Sequence, residues 1–170
     1  MMKYSLAAIV AATALSLSTS AAFSQTASGA MAVSMTVAAE CTLAADPIAF
    51  GDQGLIATAV NITGDVTVQC TAGAPYQISM SIGSGTGATV AKRYMTGTTH
   101  GQLASYTIHQ GTATGTVWGI TGGTDTLDST GATGSAEVLP FVAVLDAGQS
   151  VEADTYTDTV TATITYGTSL

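Results

Sequence analysis

At 170 residues, 46% of them hydrophobic and only 8% charged, the chain has room for one ordinary domain and is too apolar to be disordered through charge repulsion. Its formal net charge of −8, with three Lys and Arg in all, argues against nucleic acid as a partner, because phosphate binding needs clustered cations, and against anionic lipid by the same repulsion. Nineteen Gly set among many Thr and Ser favour strands and turns over helices, so the expected fold class is all-β.

In chain order, Lys3 precedes an apolar run from Ser5 to Ser18, followed by the small residues of "STSAAFSQ". That order predicts a secretory signal peptide over residues 1–24, cleaved after Ser24 or, as a second choice, after Ala22. The run is too short for a membrane span of about 20 residues and lacks a basic stop, so no direct membrane insertion is expected. Removing Lys3 leaves Lys92 and Arg93 against eleven carboxylates, a net charge of −9, which suits a soluble exported protein.

Behind the leader, "GAMAVSMTVAAECTL" alternates Met31, Val33, Met35 and Val37 with Ala32, Ser34 and Thr36. An extended chain carries those four apolar side chains on one face. Pattern alone does not say whether they complete this molecule's own sheet or another's. Cys41 and Cys70, in an oxidising compartment, predict one intramolecular disulfide contributing roughly 3 to 4 kcal/mol. The competing metal pair has only His100 and His109 to draw on, with no zinc-like spacing.

Further along, "VNITGDVTVQC" (60–70) places Ile62, Val66, Val68 and Cys70 on one face, and "YQISMSI" (76–82) does the same with Tyr76, Ile78, Met80 and Ile82. "TAGAP" separates the two and "GSGTGAT" closes the second, where Gly reaches angles other residues avoid. Strands are expected at 103–111, 116–120 and 136–145, with a Gly-rich loop at 121–135. The plainest is 155–166, with Tyr156, Val160, Ala162, Ile164 and Tyr166 on one face, Thr on the other, and Asp158 inside the apolar row. Short strands with turn signals between them suggest an immunoglobulin-like sandwich.

Catalytic and cofactor patterns are thin. "GSGTGA" (83–88) fits a loose dinucleotide-binding pattern, but no helix, acidic partner or βαβ unit follows, and no P-loop or G-x-S-x-G elbow occurs. His100 and His109 read as loop or strand-surface residues. Asp125 and Asp128 lack a calcium-loop pattern and read as a solvated loop. Trp118 reads as a core or inter-strand anchor, its alternative being a sugar-stacking platform. Asn61-Ile62-Thr63 fits a glycosylation sequon of little weight. The chain is therefore expected not to be an enzyme and to need no cofactor or metal.

Six segments in order carry a family resemblance over essentially the whole mature chain: "CTL" after an alternating stretch, "VQCTAGAPYQISMSIGSG", "KRYMTG", "LASYTIHQGTATGTVWG", "VLPFVAVLDAGQSV" and "YTDTVTATITY". Together they resemble the spore coat U domain family, whose members include major subunits of archaic chaperone-usher pili. The resemblance implies an incomplete immunoglobulin-like β-sandwich, the pilin fold, completed by donor-strand exchange. It divides the chain into a signal peptide (1–24), a donor segment (25–40) and a pilin domain (41–170).

By the same resemblance, Met31, Val33, Met35 and Val37 are the donor side chains that enter a neighbouring subunit, and Cys41–Cys70 is the family disulfide. Val160, Ala162, Ile164 and Tyr166 line the strand that edges the acceptor groove. The implied partners are identical subunits in a homopolymer, a periplasmic chaperone and an outer-membrane usher. The implied destination is a surface pilus, reached through the periplasm, that supports adhesion and biofilm formation. "GTSL" after Tyr166 departs from the family, in which the chain usually ends near that aromatic. Two other readings stand beside this one: a self-complete secreted β-sandwich binding carbohydrate or another ligand through its Gly-rich loops, and a tip adhesin, for whose second domain the chain has no room.

Overall fold

The computed structural model describes residues 24–167. Nearly all of the expected leader and the last three residues of the tail lie outside that range. The described residues fall into two units, 24–35 and 36–167, and every strand among them belongs to the second. In the first, residues 24–35 form no strand, and Met31, Val33 and Met35 are 87%, 89% and 86% exposed. Val37, the fourth of the alternating series, is 65% exposed in the second unit and also outside any strand.

Among the described residues nine strands make two antiparallel sheets: β1 (Cys41–Ala45), β2 (Val60–Cys70), β3 (Tyr76–Met80), β4 (Arg93–Gly97), β5 (Leu103–Gln110), β6 (Leu127–Ser129), β7 (Glu137–Leu145), β8 (Tyr156–Thr157) and β9 (Ala162–Tyr166). The larger sheet runs β1-β2-β7-β5-β4-β8 and the smaller β6-β3-β9. The described residues therefore form the expected all-β sandwich. Period-2 alternation builds the core from both inner faces: Val66, Val68 and Cys70 on β2, Tyr106 and Ile108 on β5, and Phe141, Ala143 and Leu145 on β7 meet Tyr76, Ile78 and Met80 on β3.

Two irregular residues fit this frame for physical reasons. Gly64 faces Phe141 in the β2–β7 ladder, and a Cβ there would lie 2.5 Å from the ring, so a side chain is excluded where the aromatic ring fills the row. Pro140 sits in the central strand β7, opposite Asp65. Its carbonyl accepts from Gly111, just past the end of β5 at Gln110, so the missing N–H costs no ladder bond.

The disulfide joins Cys41 to Cys70 at directly paired positions of β1 and β2. It pins the first strand to the sheet at its N-terminal end. Several sequence expectations need correction. Ile82 lies beyond β3 and is 37% exposed. Instead of a strand, 116–120 makes one bridge, His109 with Val117. The Gly-rich loop 121–135 contains β6, which extends the smaller sheet beside β3. The expected strand 155–166 is two: β8 pairs with β4 in the larger sheet and β9 with β3 in the smaller.

Candidate functional site: an open seam between the first and last strands

β1 ends the larger sheet and β9 ends the smaller, each with a ladder on one side only. The two strands are neighbours, yet no ladder joins them. An edge of this kind carries a row of unpaired N–H and C=O groups, a template for another strand. Along the seam Leu43, Ile48, Phe50, Val160, Ala162 and Ile164 pack against the core and are only partly buried. Alternation on β9 turns Ala162 and Ile164 inward and Thr163 and Thr165 outward. Tyr166, expected on the same face, is 41% exposed.

Past β1 the chain forms no strand until β2, and there the seam opens into two adjoining cavities. One, about 720 Å³, is lined by Ile48, Phe50, Ile56, Met95, Leu145 and Val151 among others. The second, about 480 Å³, shares Ile48, Phe50, Met95 and Tyr156 with it and reaches Val160. A trough with a mixed apolar and polar lining thus follows the chain beyond the first strand.

The sequence reading found Asp158 within the apolar row but no reason for it. The structure supplies one. Asp158 stands where the chain leaves β8 for β9, and its carboxylate accepts from Tyr106 Oη (2.6 Å), Ser84 N (2.6 Å), Ser84 Oγ (2.7 Å) and Thr159 N (2.7 Å). Burial opposes its ionisation, but the hydrogen bonds from Tyr106, Ser84 and Thr159 outweigh burial and hold the carboxyl below its ordinary range. Tyr106 moves the other way: burial first, then the bond to Asp158, push its phenol far up. The crossing is therefore tied to β5 on one side and to the turn after β3 on the other.

Arg93 is a structural residue that sequence reasoning left unplaced. Counted there as half of a cationic pair, it is fully buried, on β4. Its guanidinium donates to the carbonyls of Met80 (3.2 Å), Ser81 (2.9 Å), Val90 (3.2 Å) and Trp118 (2.6 Å), so one side chain bridges the larger sheet to the end of β3. Burial lowers its pKa, opposed by the fields of Tyr106, Asp158 and Asp125. The available signal was parity, since Arg93 and Met95 fall on the same face of "RYMTG".

The remaining candidates have structural surroundings. Trp118 is fully buried, its indole donating to the Ile78 carbonyl at 2.9 Å, which makes it an inter-strand anchor and removes it as a sugar platform. Asp125 accepts from Thr121 N, and Asp128 from Gly123 N and Thr126 Oγ1; both close the loop on itself. Among the described residues no cluster of three or more His, Cys, Asp or Glu could hold a metal. In "GSGTGA", Gly83 adopts φ +86° and a Cβ at Gly85 would meet the Tyr94 carbonyl at 2.1 Å, so the motif is a packed turn. His109 contacts Thr107 and the Gly115 carbonyl within the fold.

A family model, the Spore Coat Protein U domain, matches residues 27–163. The chain belongs to that family. The domain also resembles, with a TM-score of 0.57 and 21% identity, a chain in the crystal structure of the CsuC–CsuE chaperone–tip adhesion subunit pre-assembly complex from archaic chaperone-usher Csu pili of Acinetobacter baumannii. The match covers 76% of the present chain and 40% of that one; at this identity the likeness is one of fold. No match was found among curated proteins.

Proposed function

We propose that this spore coat U domain is a structural, non-enzymatic subunit of an archaic chaperone-usher pilus, and that its seam accepts the N-terminal segment of the next copy. The observation that carries the reading is the seam itself. The β1 and β9 edges meet without a ladder, and the stretches of chain next to them, 46–56 and 155–160, line a trough floored by Ile48, Phe50, Met95, Leu145 and Val151. Such a surface is stabilised by an added strand, whose backbone completes the ladder and whose alternate side chains fill the trough.

Met31, Val33, Met35 and Val37 have the required period and are exposed. Burying four such side chains contributes roughly 6 to 12 kcal/mol before ordering costs, at about 1.5 to 3 kcal/mol each. That equals the net stability of an ordinary domain, ~5 to 15 kcal/mol. On this reading, linking two subunits and completing a fold are one event. A periplasmic chaperone would hold the seam beforehand and an outer-membrane usher would catalyse the exchange, after export on the leader expected at 1–24. Adhesion and biofilm support follow from a surface fibre.

The test is Met35→Asp, which would place a carboxylate in the trough. Export should be unchanged and SDS-resistant ladders that collapse on boiling should disappear. Abundant normal fibres from this variant would refute donation by residues 31–37.

A further inference from the structure

Six methionines occur in the chain, and two of them, Met1 and Met2, belong to the expected leader. The other four divide by exposure. Met80 on β3 is 4% exposed in the core, and Met95 on β4 is partly buried against it. Met31 and Met35 are 87% and 86% exposed, and both sit on the face proposed to enter a neighbouring subunit. Two of the four apolar side chains on that face are therefore thioethers, and the other two are Val33 and Val37.

Sulfur is what a mild two-electron oxidant attacks in a protein, as a thiolate or as a thioether. Cys41 and Cys70 are bonded to each other and leave no free thiol, and Trp118 is fully buried. Met31 and Met35 are thus the oxidisable groups that the unassembled subunit presents to solvent. With hydrogen peroxide, a lone pair of the thioether sulfur attacks one peroxide oxygen. The S–O bond forms, the O–O bond breaks and water leaves, so sulfur is oxidised by two electrons and the peroxide is reduced by two. The product is a sulfoxide, a polar and chiral group in place of a flexible apolar one.

The change matters at a side chain destined for burial. While residues 31 and 35 are exposed, water solvates the new oxygen and the subunit's own fold is untouched. In a trough floored by Ile48, Phe50, Met95, Leu145 and Val151, the sulfoxide gives up that hydration, and burying a polar group without a partner opposes insertion.

We infer that Met31 and Met35 are oxidative modification sites that gate fibre growth: a peroxide-class oxidant converts them to sulfoxides in the unassembled subunit and removes its capacity to donate, whereas the same residues buried in a neighbour are shielded. The inference rests on the reading of residues 31–37 as the donor strand. It gives the response a direction. New growth stops under oxidant, existing fibres persist, and methionine sulfoxide reductases restore the free subunits.

In the experiment, purified unassembled mature subunit is treated with hydrogen peroxide in native buffer, quenched and left to polymerise. Peptide mapping by mass spectrometry reads sulfoxide at each methionine, and SDS-resistant ladders read assembly against an untreated sample of the same chain. Met31 and Met35 should oxidise about tenfold faster than Met80, with Met95 between, and ladders should fall about tenfold as the two convert. Reductases for both sulfoxide epimers should restore them. In preformed fibres the same dose should leave about tenfold less sulfoxide at Met31 and Met35. Met31→Leu with Met35→Leu, measured against its own untreated yield, should lose no more than about twofold, because no thioether remains on the donor face. Met95→Leu should stay as sensitive as the parent chain.

Undiminished ladders from subunit fully oxidised at both positions would overturn the inference. Resistance conferred by Met95→Leu would do the same, by placing the sensitive sulfur on the acceptor side. Oxidation of Met31 and Met35 in fibres as fast as in free subunit would also overturn it. Met35→Asp, run alongside, keeps the two readings apart: its failure to assemble leaves donation standing in each of these cases, and its normal fibres would remove both.

Discussion

The two ends of the chain carry the same pattern with opposite outcomes. Residues 31–37 alternate Met and Val with Ala, Ser and Thr; residues 160–166 alternate Val, Ala, Ile and Tyr with Thr. The second series forms β9, with Ala162 and Ile164 turned into the sandwich. The first forms no strand, and its apolar side chains are 65 to 89% exposed. Period-2 alternation thus states that a segment can bury one face in a sheet. Whether it does so depends on a ladder partner, and β9 has β3 while residues 31–37 have none among the described residues.

The largest test of that comparison places one charge in each series. Ile164→Asp should cost the domain several kcal/mol, because the carboxylate replaces an inward side chain packed against the core. Val33→Asp should leave the melting temperature of the unassembled subunit unchanged within error while abolishing SDS-resistant polymer. Equal destabilisation by the two would mean that both series serve one molecule's fold, and the contrast would fail.

A smaller effect is expected from Cys41→Ser with Cys70→Ser. The bridge closes a loop with a sequence separation of 29, and its removal should cost about 3 kcal/mol in denaturant unfolding, freeing β1 at the edge of the seam. Polymer that survives this loss should dissociate at lower temperature, since the acceptor edge is looser while the donor is untouched.

The smallest effect is acid sensitivity, which the C-terminal end shares with Glu137 on β7, held low by hydrogen bonds from Thr133 and Tyr76. Asp158 and Asp154 both have folded pKa values below the unfolded value of about 3.9. Their contribution is complete above about pH 4 and is lost as pH falls from there through the folded values. Asp158→Asn should lower neutral-pH stability by roughly 1.5 to 3 kcal/mol, the worth of hydrogen bonds to a charged group, and flatten the decline below pH 4. With no titratable side chain in residues 25–39, the N-terminal series should contribute nothing to that decline.

Much of the sandwich was legible because half-buried antiparallel strands record their inner face as every second residue. The strand at 60–70 matches β2 at both ends, and 103–111 and 136–145 differ from β5 and β7 by one residue at an end. The reading failed where pattern outran pairing. Residues 155–166 keep one parity throughout, so nothing in their order reveals that the chain changes sheets at Asp158. β6 is three residues inside a loop rich in Gly and Thr and becomes a strand only because β3 offers an edge. The burial of Arg93 is not legible because burying a cation requires acceptors, here four main-chain carbonyls from three separate stretches, which no local pattern displays.

By itself the amino-acid order determined the all-β class, the faces of the long strands, the cysteine pair and the unspent apolar alternation of residues 31–37, since all of these are local consequences of side-chain period and chemistry. Only the tertiary structure decided that the first and last strands end different sheets, that the chain beside the seam between them opens into a trough, that Asp158 ties down the crossing from β8 to β9, and that Arg93 bridges the two sheets. Those features arise from residues far apart along the chain, and the free energy that sets them is that of packing and pairing across the fold.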